Sequence, residues 1–105
     1  MAKSAYRIRM DYQKAIKEAD KLKVLATDLK QTADRLEQSL THVKSAWKSD
    51  SSVKYVNKGR KLREELKKRA KELDQAAGVI RQIAQNTYKA EMEALRLAKE
   101  RSYSG

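Results

Sequence analysis

Residues 48–52 read Lys-Ser-Asp-Ser-Ser, and this polar run interrupts a chain whose apolar residues are otherwise strongly periodic. Ser and Asp side chains accept hydrogen bonds from the free N–H groups at the start of a helix, so the run predicts a turn with a new helix beginning at about Ser52. A turn this short joins two helices in an antiparallel hairpin. The sequence therefore predicts a helix on each side of the turn at 48–52.

The segment before the turn repeats its apolar residues every seven positions. Alternating spacings of three and four residues, sustained over about six heptads, are typical of a helix that packs lengthwise against another helix. The pattern predicts a first helix from about Ser4 to Trp47, roughly 60 Å long at about 1.5 Å per residue. The two apolar rows are Ala5, Tyr12, Ala19, Ala26, Ala33, Leu40 and Trp47, and Ile8, Ala15, Leu22, Leu29, Leu36 and Val43.

The segment after the turn has the same spacing and predicts a second helix from about Ser52 to Lys99, with a tail at 101–105 that frays. Gly59 lies on the apolar stripe of this helix, where Gly costs about 1 kcal/mol relative to Ala. We expect a close helix approach there, or room for Trp47. The stripe comprises Tyr55, Gly59, Leu62, Leu66, Arg69/Ala70, Leu73, Ala76/Ala77, Ile80, Ile83/Ala84, Tyr88, Leu95 and Ala98.

The composition limits both the size of the fold and its chemistry. A chain of 105 residues makes one domain, and a sequence with no Pro and three Gly lacks the turns of a sheet protein. The fold class is therefore all-α. Zero Cys and a single histidine, His42, are a poor inventory for catalysis or metal binding. We predict no enzymatic activity, no metal and no cofactor.

Further apolar residues lie beside both stripes, and one hairpin has only one seam in which to bury them. The sequence therefore predicts that two hairpins pair into a four-helix bundle. The residues expected to hold the hairpin and its partner together are Leu22, Leu29, Leu36, Leu40, Val43, Leu62, Leu66, Leu73 and Ile80.

The chain is strongly basic, with 25 Lys and Arg against 14 Asp and Glu and a formal net charge of +11. Two copies with this charge would repel each other, which favours a different, acidic partner over a homodimer. The positive charge is densest in one stretch of the second helix. Such a stretch indicates either a solvent-exposed helix face or, as an alternative, a surface that binds nucleic acid. This basic patch consists of Lys54, Lys58, Arg60, Lys61, Arg63, Lys67, Lys68, Arg69 and Lys71.

A chain of about 100 residues with two amphipathic helices and a Trp at the turn resembles the WXG family of type VII secretion substrates, the early-secreted-antigen-like proteins. The family turn reads Trp-Xaa-Gly, and Trp47-Lys48-Ser49 matches the Trp but has Ser for Gly. The family export signal is Tyr-Xaa-Xaa-Xaa-Asp/Glu near the end of the second helix. Here Tyr88 is followed by Glu91 and Glu93, so the acids fall at +3 and +5.

The resemblance implies a small hairpin that pairs with itself or, as we prefer, with a related helical domain. The pair would be recognised by the secretion ATPase through the signal at Tyr88, Glu91 and Glu93. The two departures are similar to those of WXG-like accessory proteins, which accompany toxins that carry an Leu-Xaa-Gly N-terminal domain. Such a domain is the acidic partner that we expect.

The expected location is outside the cell, reached by a route that uses no signal peptide, or the cytoplasm before export. The first nine residues contain no apolar core for a cleaved signal, and no stretch of the sequence resembles a membrane span. Two other interpretations stay open at this point: a basic coiled coil that binds nucleic acid, and a structural helical module without a ligand.

Overall fold

A computed structural model describes the backbone of residues 3–104 and the side chains of residues 3–102. Helix α1 spans Ala5–Ala46 and helix α2 spans Asp50–Ser104. Residues 47–49 connect them, and no strand occurs among the described residues. The prediction of an all-α helical hairpin is confirmed.

The turn is shorter than the expected 48–52, because α2 begins at Asp50 and not at Ser52. The backbone N–H of Ser52 donates to Ser49 Oγ over 3.3 Å, and the N–H of Ser49 donates to Ser52 Oγ over 3.1 Å. This reciprocal pair is a capping box, and it makes Ser49 the N-cap of α2. At the start of α1, Ser4 acts as the N-cap: its hydroxyl oxygen accepts a hydrogen bond from the backbone N–H of Arg7.

Helix α2 continues past the expected end at Lys99 to Ser104, through most of the tail that the sequence predicts to fray. Arg96 pairs with Glu93 and Glu100 one turn away on either side, and such pairs stabilise a helix surface. The sequence has no Pro or Gly between Lys99 and Gly105 that would end the helix sooner, and Gly105 lies outside the described residues.

The chain divides into two compact units, each of which pairs a segment of α1 with a segment of α2. The terminal unit comprises Met1–Lys21 and Ala76–Gly105. The hairpin unit comprises Leu22–Gln75 and contains the turn.

Alanines, and not leucines, occupy the centre of the seam between the helices in both units. The exposed fraction of Ala33, Ala70 and Ala77 is 0%. Small side chains at seven-residue spacing let two helix backbones approach closely, which explains why the larger leucines are displaced to the edges of the seam. The buried apolar residues are Ile8, Ala19, Ala77 and Ala84 in the terminal unit, and Ala26, Ala33, Leu40, Val56 and Ala70 in the hairpin unit.

The close approach that the sequence predicts at Gly59 is made by Leu40 and not by Trp47. A Cβ atom at position 59 would lie 2.9 Å from Leu40 Cδ1 and nearer still to Leu40 Cδ2. Leu40 is itself 2% exposed, so it has little room to move. The missing side chain at Gly59 therefore leaves the space that Leu40, the largest α1 side chain buried in the hairpin unit, occupies.

Candidate interaction surfaces

One edge of the seam in the hairpin unit is lined by half-buried apolar side chains. Three residues after the buried Ala26, Ala33 and Leu40 come Leu29, Leu36 and Val43. Because both helices are right-handed and antiparallel, the rows three residues after the buried rows meet on the same edge of the seam. We call this set the apolar edge: Leu22, Leu29, Leu36 and Val43 of α1 with Leu66 and Leu73 of α2.

Exposed apolar side chains extend the apolar edge outward. Leu62 lies beside it on α2 and is 54% exposed, and Leu25 lies beside it on α1 and is 51% exposed. A contiguous exposed apolar surface is typical of a site where another protein binds.

The opposite edge of the seam carries charges that pair across the two helices. One carboxylate oxygen of Glu37 lies 2.7 Å from a guanidinium nitrogen of Arg63, and the other lies 3.9 Å from one of Arg60. The ammonium nitrogen of Lys30 lies 3.9 Å from a carboxylate oxygen of Asp74. Lys30, Glu37, Arg60 and Asp74 lie four residues after the central row of each helix, which places them together on this side. We call Lys30, Glu37, Arg60, Arg63 and Asp74 the paired edge. The sequence pattern alone does not predict these pairs, because they depend on the register between the two helices.

The remaining predicted partner-binding residues lie elsewhere. Leu40 is buried within the chain, so it stabilises the hairpin itself. Ile80 belongs to the terminal unit and is half-buried there, in an open groove of about 250 Å³ that Ile8, Ala15 and Ile83 also line. The terminal unit therefore has an apolar groove of its own.

Trp47 lies in the turn and is 53% exposed, although the sequence placed it on the seam row of the first helix. Its backbone N–H donates to the carbonyl of Val43 over 2.9 Å, which fixes its backbone to the last turn of α1. No described residue has a positive φ, so position 49 does not need the conformational freedom of Gly in this turn. Ser49 instead supplies the cap of α2.

The expected export signal is partly engaged in contacts within the terminal unit. The ring of Tyr88 packs against that of Tyr12, with 5.0 Å between the ring centroids. Glu91 pairs with Lys3 at 2.8 Å, and this hydrogen bond raises the pKa of the Lys3 ammonium, with Asp11 adding to the rise. Tyr88 and Glu91 are half-buried.

Glu93 differs from Tyr88 and Glu91 because it is exposed and pairs only along its own helix. Its carboxylate accepts hydrogen bonds from Arg96, which lower the pKa of Glu93. Of the three signal residues, Glu93 is the one whose side chain is exposed.

The basic patch separates into paired arginines and exposed lysines. Arg60 and Arg63 pair with Glu37, and Arg69 pairs with Glu65 and Glu72. Hydrogen bonding to Glu64 raises the pKa of Arg63, and Glu37 adds to the effect. Six lysines of the patch are exposed and form no ion pair with any described residue. They are Lys54, Lys58, Lys61, Lys67, Lys68 and Lys71.

Within residues 3–102, no group of three or more His, Cys, Asp or Glu side chains is arranged to hold a metal ion. Among the described residues, neither helix includes a segment apolar and long enough to cross a bilayer. The surfaces that remain as candidate sites are therefore the apolar edge, the turn, the C-terminal signal residues and the exposed lysines.

Comparison with known proteins adds one finding. The family model WXG100, described as proteins of 100 residues with WXG, matches residues 7–92 of this chain. The match includes most of both helices, the turn, Tyr88 and Glu91, and it ends one residue before Glu93. Neither the curated proteins nor the solved structures contain a protein that matches the chain.

Proposed function

The chain belongs to the WXG100 family, and on that premise we propose that it is a diverged accessory protein that pairs with a different, acidic helical domain for export. Family membership implies a small helical substrate of type VII secretion that is not an enzyme and is exported without a signal peptide. Proteins of this family typically dimerise with helical partners. The identity of the partner is our proposal.

The observation that carries the proposal is the difference between the two edges of the seam in the hairpin unit. The charged groups of the paired edge form ion pairs within the chain, whereas Leu29, Leu36 and Leu73 of the apolar edge remain half-exposed. A second amphipathic hairpin laid against the apolar edge would bury these leucines and complete a four-helix bundle.

The net charge of +11 supports a heteromeric pair. Two copies of this chain would bring like charges together, while an acidic partner would gain association rate and register from the same charges. A toxin-borne N-terminal helical domain of acidic composition is the partner we propose, with the secretion ATPase recognising the pair.

The test is co-expression with the proteins encoded in neighbouring open reading frames, followed by pull-down; capture of an acidic helical protein is the expected result. We expect Leu29→Arg to abolish capture, because it places a charge on the apolar edge. The matched control is Gln31→Arg, which adds the same charge at an exposed position of the same helix turn. Equal capture by both variants would exclude the apolar edge as the binding surface.

We propose separately that Tyr88, Glu91 and Glu93 form the signal read by the secretion ATPase. Tyr88→Ala removes both the motif residue and its ring contact with Tyr12, whereas Tyr12→Ala removes only the contact. We expect Tyr88→Ala to reduce export while leaving helicity and partner binding nearly unchanged, and Tyr12→Ala to leave export intact. If the two variants lose export equally, packing and not recognition explains the effect of Tyr88.

The alternative function is nucleic-acid binding through the exposed lysines of the basic patch. Lysines along one helix suit contacts to phosphates, yet the patch lacks the interleaved aromatics that stack on bases. Retention on heparin with a steep dependence on salt would favour this alternative.

A further inference from the structure

The end of the hairpin that contains the turn has a charge distribution unlike the rest of the chain. Between Glu37 and Glu64 there are seven basic residues and one acidic residue, Asp50. Arg60 and Arg63 reach Glu37 and are thereby partly neutralised. Closest to the turn, four exposed lysines have no ion pair within the described residues: Lys44, Lys48, Lys54 and Lys58.

Three large apolar side chains are exposed among these lysines. Trp47 is 53% exposed, Val53 is 57% exposed and Tyr55 is 58% exposed. They lie in the turn and in the first two turns of α2, so they are within a few residues of each lysine. We call residues 44–58 the hairpin tip.

An open groove of about 510 Å³ is lined by both basic and apolar side chains. Its rim carries Lys44, Lys48 and Arg60, and its apolar lining includes Val53 and the buried Val56. Asp50, at the first turn of α2, is the one carboxylate that lines it.

We propose that the hairpin tip binds the surface of an anionic lipid bilayer. Trp and Tyr side chains favour the boundary between headgroups and acyl chains because they have an apolar body and a polar atom. Lysine stems lie along such a surface while their ammonium groups reach the anionic headgroups. The tip therefore adsorbs to the surface without crossing the bilayer.

The exposed apolar residues favour a bilayer over nucleic acid. Phosphates alone would account for the four lysines, but they give no reason for Val53 and Trp47 to be exposed beside them. All four cations of the tip are lysines, which act as point charges and suit a fluid surface. A fixed protein or base edge is more often read by the planar fork of Arg.

This surface is separate from the one used in the proposed function. The apolar edge consists of leucines along the helices, whereas the tip uses Trp47, Val53, Tyr55 and the four lysines. Adsorption to lipid and pairing with a helical partner can therefore be tested independently, and the failure of one leaves the other standing.

The test uses the full chain and its single Trp as the probe. The chain is mixed with phosphatidylcholine vesicles, with and without about one third phosphatidylglycerol, an anionic lipid. We expect co-sedimentation and a blue shift of Trp47 fluorescence only with the anionic vesicles, both decreasing as salt is added. Binding without a shift of Trp47 would mean that another surface makes the contact and would overturn the proposal.

Two charge-matched variants locate the contact. In the tip variant, Gln replaces Lys44, Lys48, Lys54 and Lys58. In the control variant, Gln replaces four exposed lysines of the terminal unit: Lys14, Lys17, Lys89 and Lys99. One lysine near an anionic surface contributes about a fivefold increase in binding, so we expect at least a fiftyfold loss for the tip variant. The control should lose no more than about fivefold.

Circular dichroism verifies that both variants keep the helicity of the parent chain. Equal losses in the two variants would show that net charge alone drives adsorption and would overturn the assignment to the tip. A duplex nucleic acid that displaces the chain from the vesicles, and whose binding depends on the same four lysines but not on Trp47, would also overturn it in favour of phosphate binding.

Discussion

Leu36 and Glu37 are consecutive in α1, yet they lie on opposite edges of the same seam. Glu37 forms an ion pair with Arg63 of α2, with 2.7 Å between the carboxylate oxygen and the guanidinium nitrogen, so its charge has a partner inside the chain. Leu36 is half-buried on the edge where α1 and α2 present leucines to the outside. A step of one residue turns the side chain by about 100° around the helix, which is enough to exchange one edge for the other.

The contrast shows that one side of a hairpin can have its charged groups paired within the chain while the other side leaves apolar area exposed to water. Ion pairs between exposed groups contribute about 0 to 1 kcal/mol each, so the paired edge sets the register of the helices more than their stability. Half-buried leucines retain apolar area that a partner can still remove from water. The two edges should therefore respond to mutation in different experiments.

The largest expected effect comes from truncating the apolar edge. Leu36→Ala should weaken binding of the proposed helical partner by about 2 kcal/mol, or about thirtyfold in Kd, because it removes apolar area that this partner would cover. Glu37→Ala, its neighbour on the paired edge, should change Kd by less than about threefold. Titration calorimetry with the isolated partner measures both, and similar losses for the two variants would contradict the distinction between the edges.

The distance between the two helices depends on the alanines at the centre of the seam. Ala70→Leu adds bulk at a position with no exposed area and should lower the free energy of unfolding by about 1 to 3 kcal/mol. Ala94→Leu makes the same substitution at an exposed site of α2 and should be nearly neutral. Urea unfolding followed by circular dichroism compares them. An unchanged stability for Ala70→Leu would mean that the helices are not held at close approach.

The helices and the turn could be predicted because they depend on local pattern. Heptad rows identify a helix that packs lengthwise, and a polar Ser-rich run identifies its interruption. The exact start of α2 was missed, since Ser49 and Ser52 cap each other and the sequence alone does not choose which Ser is the N-cap. That choice depends on the geometry of the turn.

The centre of the seam could not be predicted, because periodicity does not distinguish two adjacent apolar rows. Leu29 and Ala33 fit the stripe equally well, and transfer energy alone favours burying the leucine. The structure buries Ala33 because small residues on both helices allow a closer approach. The ion pair between Glu37 and Arg63 was missed for a similar reason: it depends on the register between two helices that are distant in sequence.

A smaller effect separates the two helical glycines of α2. Gly59→Ala gains helix propensity but forces Leu40 to move, so we expect a net loss of about 1 kcal/mol. Gly78→Ala meets nothing within 4 Å and should increase stability by about 0.5 to 1 kcal/mol. Thermal unfolding of the two variants should therefore shift in opposite directions. A gain in both would show that Leu40 can leave the seam at little cost.

The smallest expected effect is the response of the surface ion pairs to acid. Arg63 lowers the pKa of Glu64 beside the paired edge, and Lys3 lowers the pKa of Asp11 in the terminal unit. A carboxyl whose pKa is lower in the folded chain stabilises it above the ordinary pKa, and this contribution is lost as pH falls through the folded value. The pKa of Lys3 is raised, so its contribution persists through neutral pH and is lost only in strong base.

The unfolding temperature should therefore stay level from about pH 6 to 9 and fall by a few degrees towards pH 3. High salt at neutral pH should remove part of the same stability, because it screens exposed pairs. Leu36→Ala should show the same dependence on pH as the parent chain, since the apolar edge contains no titrating group. A steeper fall in that variant would mean that the charges on the paired edge and the leucines on the apolar edge stabilise the hairpin cooperatively, and that the two edges are not independent.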